Sequence, residues 1–313
     1  MSELVALTGI TGFIGGHLAR GLADAGWRVR ALARREVPPD LARRVEVVHG
    51  ALEDEASLAA LVEGAGAVVH CAGAIKARSR GEFLATNATG TGNLAAAAAA
   101  ARRPPRFVLL SSLAAREPAL SDYTYSKREG ERELAARGAA LDWTILRLPA
   151  VYGPGDRATL AIFRQARYGV AFLPGPRAGR FSMIYVADLV DAVVRLLEAR
   201  AGAGATMEID DGCSGGYTWR RIAVIAAAAS GRKIVCIHLP RSLVLAVSAV
   251  NRMRCHFTGA APLITPGKVR ELYHTDWVCR DDGPIGRVGW RPAVTAEDGF
   301  ARTVAWYRNE GWL

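Results

Sequence analysis

Residues 8–15 (TGITGFIG) form a glycine-rich turn that directly follows the apolar run 4–7 and leads into a helical pattern. Glycine suits such a turn because the backbone must bend tightly there and approach a pyrophosphate closely. The start of the following helix offers unpaired N–H groups and the positive end of its dipole to the phosphates. Glycine turns between strands and helices are common, but this one has the expected element on either side. The turn therefore predicts a dinucleotide site at the beginning of an α/β fold.

The first two thirds of the chain alternate apolar, strand-like runs with helical patterns. We predict strands at 4–8, 28–33, 45–49, 67–72, 107–112 and 143–148, and helices at 15–25, 55–63, 81–102 and 123–137. Strands that are apolar throughout and alternate with helices indicate a parallel sheet covered on both faces. Right-handed crossovers make this a Rossmann-type doubly wound sheet, whose ligands bind at the carboxyl ends of the strands.

From residue 151 the pattern changes, because prolines and glycines interrupt residues 153–179. A strand at 184–186 and a helix at 188–199 then predict a return to the main sheet, and a last amphipathic helix is expected at 296–309. We predict a cofactor-binding Rossmann domain at 1–150 with a return segment near 184–207, and a smaller C-terminal substrate-binding lobe at 151–183 and 208–313.

The composition bounds the class of protein. The chain has 313 residues, half of them hydrophobic, which indicates a globular protein with a large core rather than a disordered one. Its formal net charge of +10 would suit nucleic acid, an anionic membrane or an acidic substrate. The arginines are scattered singly and in pairs, and no basic run is interleaved with aromatic residues. We therefore expect no nucleic-acid partner.

The five cysteines lie far apart and include no CxxC pair: Cys71, Cys213, Cys236, Cys255 and Cys279. Such spacing predicts reduced thiols in a cytoplasmic protein, and neither a disulfide framework nor a metal site. The first strand begins within a few residues of Met1, which leaves no space for a signal peptide. No apolar stretch approaches the roughly 20 residues that span a bilayer.

Tyr123 and Lys127 are four positions apart on a predicted helix, which places the phenol and the ammonium on one face. A nearby ammonium favours the phenolate and lowers the pKa of the tyrosine. The preceding strand delivers Ser111 and Ser112 to the ligand side of the sheet, where a hydroxyl could hydrogen-bond a substrate oxygen. A YxxxK pair is frequent by chance, but here it follows a glycine turn and a serine pair in that order. Tyr125 is a weaker candidate, because the glutamate four positions on would oppose phenolate formation.

With these residues together, the chain resembles the extended short-chain dehydrogenase/reductase family, which includes nucleotide-sugar epimerases, 3β-hydroxysteroid dehydrogenases and dihydroflavonol reductases. The resemblance covers essentially the whole chain. Beyond the glycine turn and the YxxxK pair, it lies in segments 70–73 (HCAG), 87–94 (NATGTGNL), 147–156 (RLPAVYGPGD), 184–189 (IYVADL) and 288–292 (VGWRP). Two departures are Tyr185 in place of a histidine and Ala51 in place of an aspartate near the adenine; Glu53 or Asp54 is the candidate replacement.

The resemblance implies a role for each matching residue. Tyr123 would be the catalytic acid or base, Lys127 would hold the nicotinamide ribose, and Ser112 would orient the carbonyl group. Ser111 would lie against the cofactor as the more structural of the two serines. The other cofactor contacts are expected at Gly9, Thr11, Gly12, Phe13, Ile14, Gly15, Leu52, Cys71, Ala72, Gly73, Asn87, Pro149 and Val151.

The end of the second strand bears on the cofactor. It stops at Ala33, where proteins that prefer NAD place an acidic residue for the ribose hydroxyls. Arg34 and Arg35 follow instead, and a guanidinium can pair bidentately with a 2′-phosphate. The alternative is that both are ordinary loop arginines. We favour the first interpretation and predict NADP(H), which cells keep reduced and which therefore indicates a reductase.

We predict an NADPH-dependent reductase of a hydrophobic carbonyl substrate. A long-chain 3-oxo lipid, such as the keto intermediate of bacterial sphingolipid synthesis, is the leading candidate, and a steroid-like ketone comes next. Segment 180–183 (RFSM) lacks the aspartate that sugar-nucleotide members of the family tend to have there. The apolar helix at 243–250, flanked by Arg241, Arg252 and Arg254, would line a lipid pocket, lie on an anionic membrane or be an ordinary core helix.

Two alternatives to this function stay open. One is a nucleotide-sugar epimerase or dehydratase with tightly bound NAD. The other is a non-catalytic NADPH-binding protein, which would not need Ser112, Tyr123 and Lys127 together. The expected location is cytoplasmic, with peripheral contact at the inner membrane face as an option. Many relatives dimerise through the helices around Asn87 and Tyr123, so a homodimer is a further option.

Overall fold

The computed structural model describes residues 3–137, 140–258, 260–262, 264–280, 286 and 289–313. These residues form two compact units that alternate along the chain. The first unit contains the described residues of Met1–Leu148, Val190–Glu208 and Asp281–Trp290, and the second those of Pro149–Leu189, Ile209–Arg280 and Arg291–Leu313. Val288, in the predicted closing motif, lies outside the described residues.

The elements of the described residues are numbered in chain order. The strands are β1 (Leu4–Thr8), β2 (Arg28–Ala33), β3 (Glu46–His49), β4 (Ala67–His70), β5 (Arg106–Ser112), β6 (Trp143–Leu148), β7 (Ala150–Tyr152), β8 (Val170–Pro174), β9 (Arg180–Phe181), β10 (Met183–Tyr185), β11 (Ala205–Glu208), β12 (Val235–Leu239) and β13 (Asp276–Trp277). The helices are α1 (Phe13–Asp24), α2 (Pro39–Ala42), α3 (Glu55–Val62), α4 (Arg80–Leu84), α5 (Gly90–Ala100), α6 (Asp122–Ala135), α7 (Leu160–Arg167), α8 (Val186–Glu198), α9 (Trp219–Ala229), α10 (Arg241–Thr258), α11 (Pro266–Leu272) and α12 (Ala296–Asn309). A π-helical turn (Ala85–Thr89) joins α4 to α5, and a 3-10 turn (Leu113–Arg116) follows β5.

The first unit is built on a seven-stranded parallel sheet in the order β11-β6-β5-β4-β1-β2-β3. The order reverses between β1 and β4, where doubly wound sheets bind ligands at the carboxyl ends of their strands. β1 and β4 are buried along their whole length, so their sequences are apolar without alternation. The core includes Leu61 of α3, Leu94 of α5 and Phe107 of β5, none of which is exposed. The predicted Rossmann-type sheet is therefore confirmed.

The second unit contains three two-stranded parallel pairs, which are β7 with β10, β8 with β12, and β9 with β13. Its core is aromatic. Tyr152, Phe163, Phe300 and Tyr307 are buried, and the neighbouring rings among them have centroids 4.8, 5.1 and 5.5 Å apart. Phe300 and Tyr307 come from α12, so the helix expected at 296–309 completes this core.

The predicted return to the main sheet is wrong in one respect. The strand expected at 184–186 exists as β10, but it pairs with β7 in the second unit. The strand that does join the main sheet is β11, which lies beside β6 with Met207 opposite Leu146. With four residues, β11 is too short to show a period in the sequence. In addition, β4 ends at His70, and the helix predicted at 81–102 is interrupted by the π-helical turn.

None of the described helices is both long enough and apolar enough to cross a membrane. The longest helix of the described residues, α10, has 18 residues and includes three arginines. In the described part of the chain, no three His, Cys, Asp or Glu side chains cluster in a way that could hold a metal ion.

Candidate active site

The glycine turn joins β1 to α1 at the place where the sheet order reverses. Gly9 has a φ of +83°, and a Cβ there would lie 2.8 Å from the backbone N of Ala72. The N–H of Gly12 donates to the carbonyl of Gly9 at 2.9 Å, and a Cβ on Gly15 would collide with that same carbonyl. No side chain caps α1 at Gly12, as expected of a helix start that binds phosphate. The other predicted contacts of the turn are exposed or half-buried: Thr11, Phe13 and Ile14.

β2 ends beside this turn with two exposed arginines. Thr8, the last residue of β1, pairs with Leu32 of β2, so the chain leaves the sheet at Arg34 next to Gly9. Among the contacts of the described residues, neither Arg34 nor Arg35 has a hydrogen bond, an ion pair or a ring contact. Both guanidinium groups are therefore available to an anionic ligand.

A buried hydrogen-bond chain ties the ends of β1 and β4 to α5. Thr91 Oγ1 donates to the carbonyl of Asn87 at 2.8 Å, so it accepts from His70 Nε2 at 3.1 Å. The other ring nitrogen, Nδ1, accepts from Thr8 Oγ1 at 2.6 Å, and that oxygen accepts from the N–H of Ala72 at 3.1 Å. This network assigns a neutral imidazole. Burial lowers the pKa of His70 to about 3, so the residue is structural rather than a proton donor.

Asn87 shapes the loop that follows β4. It lies in the π-helical turn, where its amide donates to the carbonyl of Ala74 and to Ser126 Oγ, both at 2.9 Å. Its Oδ1 accepts from the N–H of Ala74 at 2.7 Å. Gly73 lies against this amide, because a Cβ there would be 3.3 Å from Asn87 Oδ1 and 4.0 Å from Lys127 Nζ. Since both amide hydrogens are used within the protein, Asn87 positions the loop rather than donating to a ligand.

Two further predicted contacts have mainly structural surroundings. The side chain of Leu52 is buried, and its carbonyl accepts from Asn93 Nδ2 at 2.9 Å. Burial raises the pKa of the Cys71 thiol to about 12, so it stays protonated. Glu53 and Asp54 are both exposed, but Asp54 caps α3 by accepting from a backbone N–H at 3.1 Å, which leaves Glu53 as the candidate near the adenine that has no capping role.

α6 carries Tyr123 and Lys127 next to the end of β5. The helix begins after Ser121, whose side chain accepts from the N–H of Thr124 at 3.1 Å, while Thr124 Oγ1 accepts from the N–H of Ser121 at 3.0 Å. This capping box fixes Tyr123 in the first turn. One turn later, Lys127 Nζ donates to the carbonyl of Leu110 at 3.1 Å. The YxxxK helix is thereby attached to the strand that carries the serine pair.

The two tyrosines of α6 have different surroundings. The Tyr125 ring is covered by the guanidinium of Arg80, which lies 3.9 Å from the ring centroid. The Tyr123 ring packs instead at 6.0 Å from the ring of Phe83 and shares its helix face with Lys127. That Tyr123 rather than Tyr125 is the acid stays a prediction.

The two serines also differ. Ser112 Oγ accepts from the N–H of Ala114 at 3.2 Å and caps the 3-10 turn, so its own proton can be donated elsewhere. Ser111 Oγ is buried and donates to Glu131 Oε1 at 2.6 Å. The structure therefore gives Ser111 a protein partner that the sequence did not indicate.

Glu131 is the residue of this site that sequence reasoning missed. Besides Ser111, its carboxylate binds Arg147 through two hydrogen bonds, at 2.9 Å from Nε and 2.6 Å from Nη2. Burial lowers the pKa of Lys127, and the Glu131 carboxylate acts in the opposite direction. One signal was available, because Glu131 follows Lys127 by four residues and so lies on the same face of α6.

The charges continue beyond Glu131. Arg147 in β6 lies 3.9 Å from the carboxylate of Glu208 in β11, and Glu208 pairs with Arg116 of the 3-10 turn at 3.1 Å. All three side chains are mostly buried. Alternating charges of this kind tie α6, two strands and the turn after Ser112 together within the first unit.

Pro149 and Val151 belong to the second unit. Pro149 directly precedes β7, in which Val151 pairs with Ile184 of β10. In the same unit, Asp188 of the 184–189 segment accepts from the N–H groups of two residues that precede α12, at 3.2 and 2.9 Å. This aspartate therefore anchors the closing segment of the chain.

Comparison with known proteins gives the family. A sequence model of the NAD dependent epimerase/dehydratase family matches residues 5–209. A ceramide reductase of Caulobacter vibrioides is 41% identical over 312 residues, which cover 99% of this chain and 96% of that protein. A UDP-glucose 4-epimerase of Vibrio cholerae is 25% identical over 335 aligned positions, covering 97% of this chain and 95% of the epimerase.

The fold is also found among solved structures. The structure of MoeE5 in complex with UDP-glucuronic acid and NAD superimposes with a TM-score of 0.76 at 22% identity, over 99% of this chain and 100% of that one. At this identity the likeness shows a common fold. Together with the match of the family model over residues 5–209, it shows that the chain belongs to the NAD dependent epimerase/dehydratase family, within the extended short-chain dehydrogenases/reductases.

Proposed function

We propose that the protein is an NADPH-dependent reductase that converts a ketone on a long-chain, sphingolipid-type molecule into a secondary alcohol. The observation that carries this proposal is the placement of Ser112, Tyr123 and Lys127 around the carboxyl end of β5. Lys127 binds the carbonyl of Leu110, two residues before Ser112, and Tyr123 precedes Lys127 by one helical turn. The nearly full-length similarity to a ceramide reductase supports a lipid substrate.

Each of the three side chains has its own role in the reduction of the ketone. Ser112 already accepts a backbone hydrogen bond, so its hydroxyl proton is free to donate to that oxygen and orient it. Tyr123 gives its phenolic proton to the same oxygen as the carbon–oxygen double bond becomes a single bond. The Lys127 ammonium then stabilises the phenolate that remains on Tyr123.

The first unit offers features that fit NADPH. Gly9 and Gly15 let the turn fold tightly, because a Cβ at either position would collide with backbone atoms, and the turn leaves the start of α1 uncapped for a pyrophosphate. The exposed Arg34 and Arg35 suit a 2′-phosphate. NADPH, when bound, supplies the hydride for the carbonyl carbon.

The reductase is tested by following NADPH consumption with long-chain 3-oxo sphingoid lipids, with and without an N-acyl chain, in detergent micelles. We expect turnover that Tyr123→Phe lowers by about 100-fold or more, since it removes the proton donor. Tyr125→Phe, on the same helix and with its ring under Arg80, is the matched control and should stay near wild type. Equal rates in the wild type and Tyr123→Phe would contradict the proposed acid and favour a non-catalytic cofactor-binding protein.

Cofactor choice is tested separately at the end of β2. Arg34→Ala should raise the KM for NADPH by about tenfold or more, because one charge-assisted contact with the 2′-phosphate is lost, and should leave the KM for NADH unchanged. Arg28→Ala, at the opposite end of the same strand, serves as the control. A preference of the wild type for NADH would contradict the proposal that Arg34 and Arg35 bind a 2′-phosphate.

A second candidate is a nucleotide-sugar epimerase, favoured by the similarity to the Vibrio cholerae enzyme along almost the whole chain. Such an enzyme would be expected to keep its NAD bound and to interconvert UDP-sugars without net consumption of cofactor. NAD released on denaturation of the purified protein, together with conversion of UDP-glucose and no ketone reduction, would support it over the reductase.

A further inference from the structure

Residues 212–270 contain nine Lys and Arg residues and no Asp or Glu. This acid-free segment therefore carries most of the net charge of +10. It lies in the second unit and includes α9, β12, α10 and the first five residues of α11, which ends beyond it at Leu272. Its basic residues are Arg220, Arg221, Arg232, Lys233, Arg241, Arg252, Arg254, Lys268 and Arg270.

Helix α10 of this segment presents apolar side chains to solvent. Leu243, Val247, Val250 and Met253 recur every three or four residues, so they share one face of the helix. They are between 48% and 61% exposed. Surface helices of globular proteins normally turn such a stripe towards the core and place polar residues outside. Here the opposite face is the one that is buried, as at Val244.

The two-stranded sheet that precedes α10 has an exposed apolar face as well. Phe172 of β8 pairs in register with Ile237 of β12, and both are exposed. Val235 is exposed too, and alternate residues of a strand point to the same side. β12 ends at Leu239 and α10 begins two residues later, so the two apolar surfaces follow each other directly in the chain. We call these exposed residues of α10, β8 and β12 the apolar face.

A basic cavity lies where the two strands of this sheet begin. It has a volume of about 360 Å³ and is lined by Arg167, Arg232 and Arg308, among others. Arg167 ends α7 three residues before β8, and Arg232 precedes β12 by three residues. Guanidinium groups that converge in this way suit the phosphate of a lipid headgroup.

We propose that the apolar face docks on a bilayer that contains anionic phospholipids, to which the basic residues of the acid-free segment and of the cavity are attracted. Aliphatic side chains on one side of a helix enter the boundary between headgroups and acyl chains, and basic residues beside them are attracted to the anionic surface. Exposed apolar side chains that line up on one side of a helix, as on α10, mark interaction sites more often than single exposed residues do, so the apolar face is expected to meet a partner. Docking goes beyond the proposed reaction and does not depend on it.

Charge distinguishes the bilayer from other partners. A second copy of the chain that used the same face would bring two acid-free segments together, and like charges oppose such a contact. Nucleic acid would find few aromatic rings for stacking, because the face consists of Leu, Val, Ile and Met side chains with Phe172 and, near the end of α10, Phe257. An anionic bilayer satisfies both the charge and the apolar side chains.

Docking is tested by sedimentation of the purified full chain with vesicles, in the absence of substrate and cofactor. We expect binding to vesicles of equal parts phosphatidylcholine and phosphatidylglycerol, at least about tenfold stronger than to phosphatidylcholine alone and weakened by salt. The double change Val250→Asp and Met253→Asp should lower the vesicle partition coefficient by at least about tenfold. Val224→Asp is the matched control, because this valine is 50% exposed but lies on α9 outside the apolar face.

The double variant must keep the urea unfolding midpoint of the wild type for the comparison to be valid. If it unfolds at a lower urea concentration, the double change Leu243→Gln and Val247→Gln replaces it.

Equal partition of the wild type into both kinds of vesicle would overturn the role of charge in docking. Unchanged binding of the variants would overturn the role of the apolar face. A wild-type dimer that the variants convert to monomers would show that a second copy covers the face. RNA binding that the same variants abolish would overturn the bilayer in favour of nucleic acid. Because no turnover is measured, failure of docking is distinct from failure of the reductase.

Discussion

Among single residues, Glu131 joins α6 to the main sheet. Its carboxylate binds Ser111 at 2.6 Å and holds Arg147 bidentately. Glu131→Gln keeps the size of the side chain but leaves the mostly buried guanidinium without its full partner. We expect the free energy of unfolding in urea to fall by about 2–4 kcal/mol.

Glu129 of the same helix is the control for this change. It pairs with Arg132 at 2.6 Å, but the arginine side chain is largely exposed. Glu129→Gln should therefore cost about 0.5 kcal/mol or less. Similar losses in the two variants would show that the buried network contributes no more than a surface ion pair.

His70 makes stability depend on pH. The pKa of His70 is about 3 in the folded chain, whereas the usual value is 6.5. Between these two pH values the unfolded chain therefore binds more protons than the folded chain. Stability should consequently fall as the pH drops through this window, by up to about 1.4 kcal/mol per pH unit from this residue. Urea unfolding measured from about pH 6.5 to 4.5 should show a shallower dependence in His70→Gln than in the wild type.

His49 provides the comparison, since it is an exposed histidine at the end of β3. His49→Gln should lose stability with falling pH in parallel with the wild type. If His70→Gln also runs parallel to it, the imidazole is not kept neutral by the fold.

The sequence predicted some of these residues and not others, for a physical reason. Tyr123 and Lys127 are four positions apart, so helical geometry alone brings them to one face. The bond between Ser111 and Glu131 joins residues 20 positions apart on a strand and a helix. No local pattern reports such a contact, because it depends on how α6 packs against β5.

Among the elements, the π-helical turn is one that the sequence did not reveal. Residues 81–102 predicted a single helix, since a π-helical turn adds one residue without changing the composition. The structure shows what holds it. Gly130 of α6 faces the carbonyl of Asn87 so closely that a Cβ would collide with it. The turn that positions Asn87 therefore depends on a glycine in the neighbouring helix.

Gly130→Ala tests this packing. In an exposed helix the change would stabilise the protein by about 1 kcal/mol, because alanine is the better helix former. Here the collision should outweigh that gain and lower the free energy of unfolding by about 1–3 kcal/mol. Gly81→Ala in α4 is the control, because the nearest atom to its Cβ would be Ser79 Oγ at 3.7 Å. A stabilised Gly130→Ala would show that α6 can move away from the turn at little cost.

At the scale of the whole molecule, the two units differ in how many of their strands and helices the sequence predicted. The first unit has six strands that the apolar runs predicted, because a parallel sheet buried on both faces leaves a strong pattern. The second unit contains strands of two to five residues that pair across long separations, such as β9 with β13. Such strands are too short for a period and their partners too distant for a turn signal. Of the described elements of that unit, the sequence therefore predicted β10, without its pairing, and helices α10 and α12.

Cofactor binding should be visible in the stability of the whole chain. A ligand present at about 100 times its Kd stabilises the folded state by about 2.7 kcal/mol, which for a chain of this size corresponds to about 5–10 °C in Tm. We expect such a shift with NADPH and a smaller one with NADH. Gly9→Ala should abolish the shift, because its Cβ would lie 2.8 Å from the backbone N of Ala72 and force the glycine turn out of its position.

The variant Gly26→Ala is the control that distinguishes displacement of the glycine turn from backbone strain alone. It has a φ of +88°, close to the +83° of Gly9, but a Cβ there would have no atom within 4 Å. Gly26→Ala should thus lower Tm through strain of about 1–2 kcal/mol and still show the full shift with NADPH. If Gly9→Ala folds and responds to NADPH as Gly26→Ala does, the glycine turn is not where the dinucleotide binds, and the cofactor assignment at Arg34 loses its support as well.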